Sequence, residues 1–323
     1  MKNNIKVTIN DTMNEPDKDN MNDRWVERLE MFKIHAYKVP SESFDIAKTL
    51  ECGQCFRWQK VANTFVGVVA QSLLVIEPFD AAHYLVSIYG SQTTTEYEMP
   101  SVNAMTYEDL IHYFDLETDY NEIMNQLAKI DAHMAKAAIY GAGIRLLNQE
   151  PFETLLSFIL SSNNNIPKIR MTVEALSEKF GKYLGHYNGK PYYTFPDLST
   201  LSAVSLEDLN VKAIGYRAKS IYNTCERLLE SGYDLLEPFN MDYATARTWL
   251  TQFYGVGDKV ADCVLLFAYG KMEAFPIDTW VKKMLGQLYD VHSNYEAFVR
   301  EKFNQYPGIA QQILFYYIRG LKD

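Results

Sequence analysis

Positive charge is in short supply: 31 Lys and Arg stand against 41 Asp and Glu, a net charge of −10. A broad basic surface for strong nonspecific nucleic-acid binding is therefore not expected. The deficit is local, however. Residues 1–34 carry six basic and seven acidic side chains, residues 35–129 five and thirteen, and residues 130–323 twenty and twenty-one. The last of these segments is nearly neutral, which leaves room for a DNA face made from helix termini and a few cations. Cysteine is scarce too. Cys52, Cys55, Cys225 and Cys263 are too few and too scattered for a disulfide framework, so a reducing cytoplasm is the expected setting. There is no run of eighteen apolar residues to cross a membrane, and the opening MKNNIKVTINDTMNEPDKDN has no apolar core of a signal peptide. A G-x-x-x-x-G-K-[ST] phosphate loop and a metal-ligand cluster among the six histidines are also missing.

What is present divides the chain in three. Residues 1–31 are polar and read as a disordered or loosely ordered extension, with Trp25, Leu29 and Phe32 at helical spacing as the one sign of order. Phe32–His35 begins an alternating run. Cys55–Trp58, Thr64–Val69, Leu73–Ile76 and Tyr84–Tyr89 are short apolar or alternating runs bounded by Gly, Asn, Pro or Asp. They predict an antiparallel β-sheet domain over 32–129. A polar stretch from Gly90 to Ser101 leads into helical patterning. The i, i+3, i+4, i+7 spacing appears at Phe152, Leu155, Leu156 and Ile159, at Val260, Cys263, Val264 and Phe267, and at Val281, Met284, Leu285 and Leu288. Residues 130–323 thus read as an all-α region of two packed lobes, and the fold class as α+β.

The chemistry is concentrated in TQFYGVGDKVADCVLLFAYGKMEAFPIDTW, residues 251–280, within a hairpin and catalytic segment spanning 243–280. One helix is expected to end near Phe253, Tyr254-Gly255-Val256-Gly257 to turn, and a second helix to start at about Asp258. The two glycines allow positive φ and close approach of another surface to the backbone amides, which with the open helix start would hold a phosphate oxygen. That is a helix-hairpin-helix, although on G-V-G alone a plain helix corner is equally good. Lys259 breaks the tie. A cation in the first turn is opposed by the helix dipole, and dipole and partial burial both favour the neutral amine that attacks carbon. Cys263, four residues on, shares its helix face. Asp278 precedes the next helix as an expected N-cap, and the same carboxylate can take a proton from an amine and steady positive charge on a sugar.

Gly255-Val256-Gly257-Asp258-Lys259-Val260-Ala261-Asp262-Cys263 followed by Pro276-Ile277-Asp278 resembles the signature of the 8-oxoguanine DNA glycosylase/AP lyase family, within the helix-hairpin-helix glycosylase superfamily. Ser157–Ile166, Gly53-Gln54-Cys55-Phe56-Arg57-Trp58 and Gly215-Tyr216-Arg217-Ala218 match further blocks in the family's order, covering roughly residues 35–318. The resemblance implies a bifunctional base-excision enzyme acting as a monomer on double-stranded DNA. It would flip out 8-oxoguanine, attack C1′ through Lys259 with help from Asp278, and cleave the strand by β-elimination. By the same resemblance the Gly53 carbonyl accepts the N7–H of the lesion, Cys263 and Phe315 sandwich the base, and Gln311 binds its Watson–Crick edge. Asn163 enters the vacated space and Tyr216 wedges beside the opposite base. Arg217 and Lys168 contact the opposing cytosine, while Gly255, Val256, Gly257 and Trp280 complete the DNA-binding set. No iron–sulfur cluster or other metal is implied, although a monovalent cation on the carbonyls of Thr251, Phe253 and Val256 is compatible with the family.

Three departures mark a bacterial-type branch and touch opposite-base selectivity. Lys168 replaces an arginine and lacks its bidentate fork. Trp280 replaces a histidine, and Ile318 an acidic residue expected to pair with it. Cys52-x-x-Cys55 has redox spacing but reads as two buried strand thiols. Two rivals stay open at this point: a glycosylase of the same superfamily for another damaged purine, and a non-catalytic helix-hairpin-helix DNA-binding protein.

Overall fold

Alternating apolar residues build an antiparallel sheet from β1 (Phe32–Pro40), β2 (Trp58–Val61), β3 (Thr64–Val69), β4 (Ser72–Asp80) and β5 (His83–Gly90). The computed structural model describes residues 31–90, 105–230 and 232–321. Trp25, Leu29 and nearly all of the Gly90–Ser101 stretch lie outside the described residues. The strand order is β1-β5-β4-β3-β2, so β2 to β5 form the expected meander and β1 closes it beside β5. Met31, assigned by the sequence to the N-terminal extension, is buried, and its amide donates to the His186 carbonyl at 2.8 Å.

Two sequence expectations are corrected. Of Cys55–Trp58 only Trp58 joins a strand, because helix α1 (Ile46–Glu51), capped by Asp45, precedes it and ends in a bend over 52–57. Cys52 and Cys55 are buried thiols, but in that bend rather than in strands. The helical region is not all-α either. β6 (Tyr183–Tyr187) and β7 (Lys190–Tyr193) form a two-stranded sheet. Asn188 and Gly189 at their turn have φ of +51° and +73°, as a two-residue hairpin requires. Leu184 and Tyr192 of this hairpin pack with Val66, Val68, Leu73 and Val75 of the large sheet. The sheet's other face packs Trp58, Phe65, Leu74, Ile76 and Ile88 against Leu110, Tyr113 and Phe114.

The remaining helices are α2 (Tyr107–Tyr113), α3 (Tyr120–Ala128), α4 (Ala132–Tyr140), α5 (Pro151–Leu160), α6 (Ile166–Phe180), α7 (Leu198–Ser202), α8 (Arg217–Glu230), α9 (Tyr243–Leu250), α10 (Asp258–Phe267), α11 (Thr279–Tyr289), α12 (Tyr295–Lys302) and α13 (Pro307–Gly320). Tyr120, Ile123 and Leu127 of α3 already belong to the large helical core, although they precede residue 130. The predicted stripes are its inner faces. Phe152, Leu155, Leu156 and Ile159 are buried with Val260, Cys263, Val264 and Phe267, and with Val281, Met284 and Leu285. Phe56 reaches into this core from the bend after α1 and meets Phe158 edge-on at 5.5 Å. Sheet and helices are thereby locked together next to the residues that carry chemistry. Among the described residues no helix is long and apolar enough to cross a membrane.

Candidate active site

The turn between α9 and α10 divides labour between its two glycines. α9 ends at Leu250, slightly before the expected Phe253. Gly255 has φ +82°, and a Cβ there would stand 2.8 Å from Ser220 Cβ, so α8 packs directly on its backbone. Gly257 is different: its backbone is extended (φ −96°, ψ −178°), and a Cβ would meet nothing within 4 Å. It is the N-cap of α10 and offers no side-chain acceptor to the first-turn amides. Those donors open onto exposed surface next to Gly257 and Asp258.

Lys259 follows at once. Its Nζ donates to Ser161 Oγ at 2.8 Å and stands 5.3 Å from the Phe158 ring centroid. Ser161 Oγ in turn donates to the Phe158 carbonyl at 2.6 Å. The amine is thus held, half-buried, against the C-terminal end of α5. Cys263 lies within hydrogen-bonding reach of it, as the shared helix face predicts. Burial pushes that thiol up to about 11 while the lysine's charge pulls the other way, so at neutral pH it is a soft, uncharged wall. Asp278 is the N-cap of α11, where Oδ1 accepts the Val281 amide at 2.7 Å. Its charge is felt at Cys263, which places it on the same site.

A cavity of about 600 Å³ opens beside the amine, lined by Arg247, Asp258, Lys259, Asp262, Lys282 and Tyr295 among others. Asp262 is buried and accepts from Tyr243 Oη at 2.7 Å and Arg247 Nε at 3.0 Å. Burial raises its carboxyl to about 6 against the pull of both partners. Arg247 also reaches Glu296 at 3.1 Å, so one guanidinium ties α9, α10 and α12 behind the lysine. Sequence reading missed Ser161 and this Tyr243–Arg247–Asp262 anchor. Their partners are far apart along the chain, and only the matched block around Ser161 carried any signal.

A second group forms where α13 meets the bend after α1. Gly53 has φ +94°, and a Cβ on it would stand 3.4 Å from Arg319 Nη1, 3.4 Å from Ile166 Cδ1 and 3.6 Å from Phe315 Cε1. The bend is held rigidly on both sides. Fully buried Gln54 donates to the carbonyls of Thr49 (2.9 Å) and Arg145 (2.8 Å) and accepts the Leu147 amide at 2.9 Å. Gln312 Nε2 donates to the Cys52 carbonyl at 2.9 Å. Gln311 is buried on α13 with Oε1 lacking any partner. Trp280, two residues past Asp278, meets the Phe315 ring at 6.3 Å, so the start of α11 bridges the lysine and glycine halves of the site. Ile318 is buried in the helical core.

The third group lies on the α5–α6 loop. Asn163 is exposed with φ +48°, and Asn165 caps α6 by accepting the Lys168 amide at 3.0 Å, leaving the Lys168 side chain exposed. Tyr216 is 64% exposed and its hydroxyl donates to the Ser162 carbonyl at 3.2 Å. Arg217, expected to contact the opposing cytosine, is 8% exposed. Its Nε and Nη2 donate to the Ser162 carbonyl at 2.9 and 2.7 Å, and Nη2 also donates to Asn163 O at 2.8 Å. The guanidinium stacks 4.6 Å from the Tyr216 ring centroid. In this arrangement it shapes the loop that presents Asn163.

Fold and hairpin together define a helix-hairpin-helix protein of base-excision repair. Residues 156–306 match the family model described as the HhH-GPD superfamily of base excision DNA repair proteins, and residues 36–155 match the 8-oxoguanine DNA glycosylase N-terminal domain. The N-glycosylase/DNA lyase OGG1 of Arabidopsis thaliana is 30% identical over 86% of this chain and 78% of its own length. A probable N-glycosylase/DNA lyase of Methanothermobacter thermautotrophicus is 29% identical over 88% of this chain and 97% of its own. The 8-oxoguanine glycosylase/lyase of Clostridium acetobutylicum, solved with double-stranded DNA containing cytosine opposite 8-oxoG, superposes with a TM-score of 0.76. It is 35% identical, with 91% of this chain and 98% of that one covered. The chain belongs to the 8-oxoguanine DNA glycosylase family and is a DNA glycosylase with DNA lyase activity. The non-catalytic rival is thereby set aside.

Proposed function

We propose that this enzyme excises 8-oxoguanine from duplex DNA through a Schiff base on Lys259 and then cleaves the strand by β-elimination. The observation that carries the reading is the placement of Lys259 at an uncapped helix start, with Ser161 and Cys263 at its amine and the Asp278 charge felt at Cys263. The lesion is flipped between Phe315 and Cys263, with Gly53 O accepting its N7–H and Gln311 Oε1 accepting from its Watson–Crick edge. Normal guanine has no N7–H, and the Gly53 carbonyl would then face a lone pair. Lys259 in its neutral form attacks C1′ as the N9–C1′ bond breaks and its electron pair leaves with the base. Asp278 takes the amine's proton and steadies the positive charge developing on the sugar. Ring opening gives the Schiff base, and loss of a C2′ proton expels the 3′ phosphate.

Asn163 and Tyr216 fill and wedge the vacated duplex. Lys168 reaches the opposing cytosine as a point charge, and Arg217 joins it only by leaving the Ser162 and Asn163 carbonyls. Phosphate contacts fall on Gly255, Val256 and Gly257, with Trp280 on the DNA-facing side of Phe315. The Phe253 carbonyl accepts the Val256 amide at 3.2 Å and keeps a second lone pair, so with Thr251 and Val256 it suits a monovalent cation. The enzyme works as a cytoplasmic monomer, without an iron–sulfur cluster. Release of free 8-oxoguanine from duplexes with C, A, G or T opposite tests the reading. Release of an alkylated purine instead would replace it with the superfamily rival.

A further inference from the structure

The geometry points to Arg319 as a reader of the C8 carbonyl oxygen of the extruded base, the second of the two changes that oxidation makes to guanine. The inference rests on the functional reading above and extends it. Gln311, Phe315 and Arg319 recur every four residues on α13 and share one face. Two buried side-chain atoms on this face have no hydrogen-bond partner, the acceptor Gln311 Oε1 and the donor Arg319 Nη1. Between them lies Phe315, with the Arg319 guanidinium 5.5 Å from its ring centroid. Among the described residues Arg319 makes no ion pair, so no carboxylate explains its position.

A buried donor and a buried acceptor left unmade on either side of an aromatic ring are costly unless something supplies both partners. A planar ligand with donors at one end and an acceptor at the other does so. Residues 311 and 319 are about 12 Å apart along the helix axis, room for a purine with a side chain at each end. With the Watson–Crick N–H groups on Gln311, the five-membered ring points to Arg319. Gly53 fixes the same end, because Arg319 Nη1 lies 3.4 Å from the site of its absent Cβ. N7–H and O8 are neighbouring substituents of that ring. A backbone acceptor and a guanidinium donor side by side therefore match both changes at once. Guanine presents a C8–H to Arg319 and leaves the cation unpaired. As the N9–C1′ bond breaks, negative charge spreads to O8, so the contact strengthens towards the transition state.

The test compares single-turnover excision from an 8-oxoguanine·cytosine duplex with equilibrium binding to the same duplex carrying a tetrahydrofuran abasic analogue, which has no base. Arg319→Met is expected to slow excision by about ten- to a hundredfold, as for loss of a charged hydrogen bond. Affinity for the abasic duplex should stay within twofold. Arg319→Lys, which keeps the cation and loses the fork, should fall between and carries the same comparison if the methionine variant does not fold. Equal losses on both duplexes would make Arg319 a backbone contact and overturn the inference, as would unchanged excision. If the wild-type protein releases no 8-oxoguanine, the functional reading itself fails. If it does and the variants match it, only the role of Arg319 is lost.

Discussion

Replacing each hairpin glycine by alanine should separate folding from DNA contact. At Gly255 alanine meets two penalties. Its backbone sits at φ +82°, where an L side chain costs about 1–2 kcal/mol. The new methyl would also stand 2.8 Å from Ser220 Cβ and 2.9 Å from its hydroxyl, overpacking that costs about 1–3 kcal/mol. Together they amount to roughly 2–5 kcal/mol, which at about 2 °C per kcal/mol lowers Tm by roughly 4–10 °C. Gly257 has an extended backbone and open space at its Cβ. Alanine there should leave Tm unchanged or raise it slightly, by about 0.4–1 kcal/mol of unfolded-chain entropy. It should instead weaken binding to duplex DNA several-fold, since the methyl would stand in the way of the proposed phosphate contact. Differential scanning calorimetry and fluorescence anisotropy on the two variants decide. A Gly255→Ala, Ser220→Gly pair should recover the clash but not the φ term, a positive coupling of about 1 kcal/mol or more. Equal stability losses at both glycines, or no coupling with Ser220, would refute this division.

Arg217→Ala removes three hydrogen bonds to the Ser162 and Asn163 carbonyls that hold the loop, so it should lower Tm as well as excision. Lys168→Arg, on an exposed side chain, should leave Tm alone and sharpen the preference for cytosine by about ten- to a hundredfold, measured against A, G and T. Glu153, pushed up to about 7 by burial with Arg57 pulling against it, gives a pH test. A raised carboxyl binds its proton more tightly in the folded state, so its stability contribution is present below pH 4.5 and lost as pH rises through about 7. Glu153→Gln should therefore match the wild type in Tm near pH 4.5 and exceed it at pH 8; the opposite order would show that Arg57 dominates. Asp278→Asn keeps an acceptor for the Val281 amide, so excision should collapse with little change in Tm. Equal losses in both would reduce Asp278 to a cap.

Local signals carried the sequence reading furthest. The α10 start at Asp258, the Asp278 cap and the three apolar stripes were visible because each depends on neighbours within one or two turns. The short helix α1 was hidden inside a region of strand-like composition, since six residues carry little periodicity. Asn188-Gly189 is a hairpin signal, but it sits in a stretch whose surroundings pattern as helical. The placement of β1 beside β5, the Ser161 contact with Lys259 and the Arg247–Asp262 anchor depend on chain closure over long separations. Composition and spacing do not encode those. Arg217 shows the reverse limit: the residue type suited base reading, yet its fork is occupied by carbonyls that only the folded loop brings to it.

The most direct measurement is borohydride trapping on a duplex with 8-oxoguanine opposite cytosine, followed by mapping of the adduct. On the proposed mechanism, with the Schiff base on Lys259, the wild-type protein should yield a covalent protein–DNA complex whose modified peptide contains Lys259. Lys259→Gln should still bind the duplex but yield no complex and release no base. Trapping at another amine, or excision at the wild-type rate by Lys259→Gln, would contradict the account.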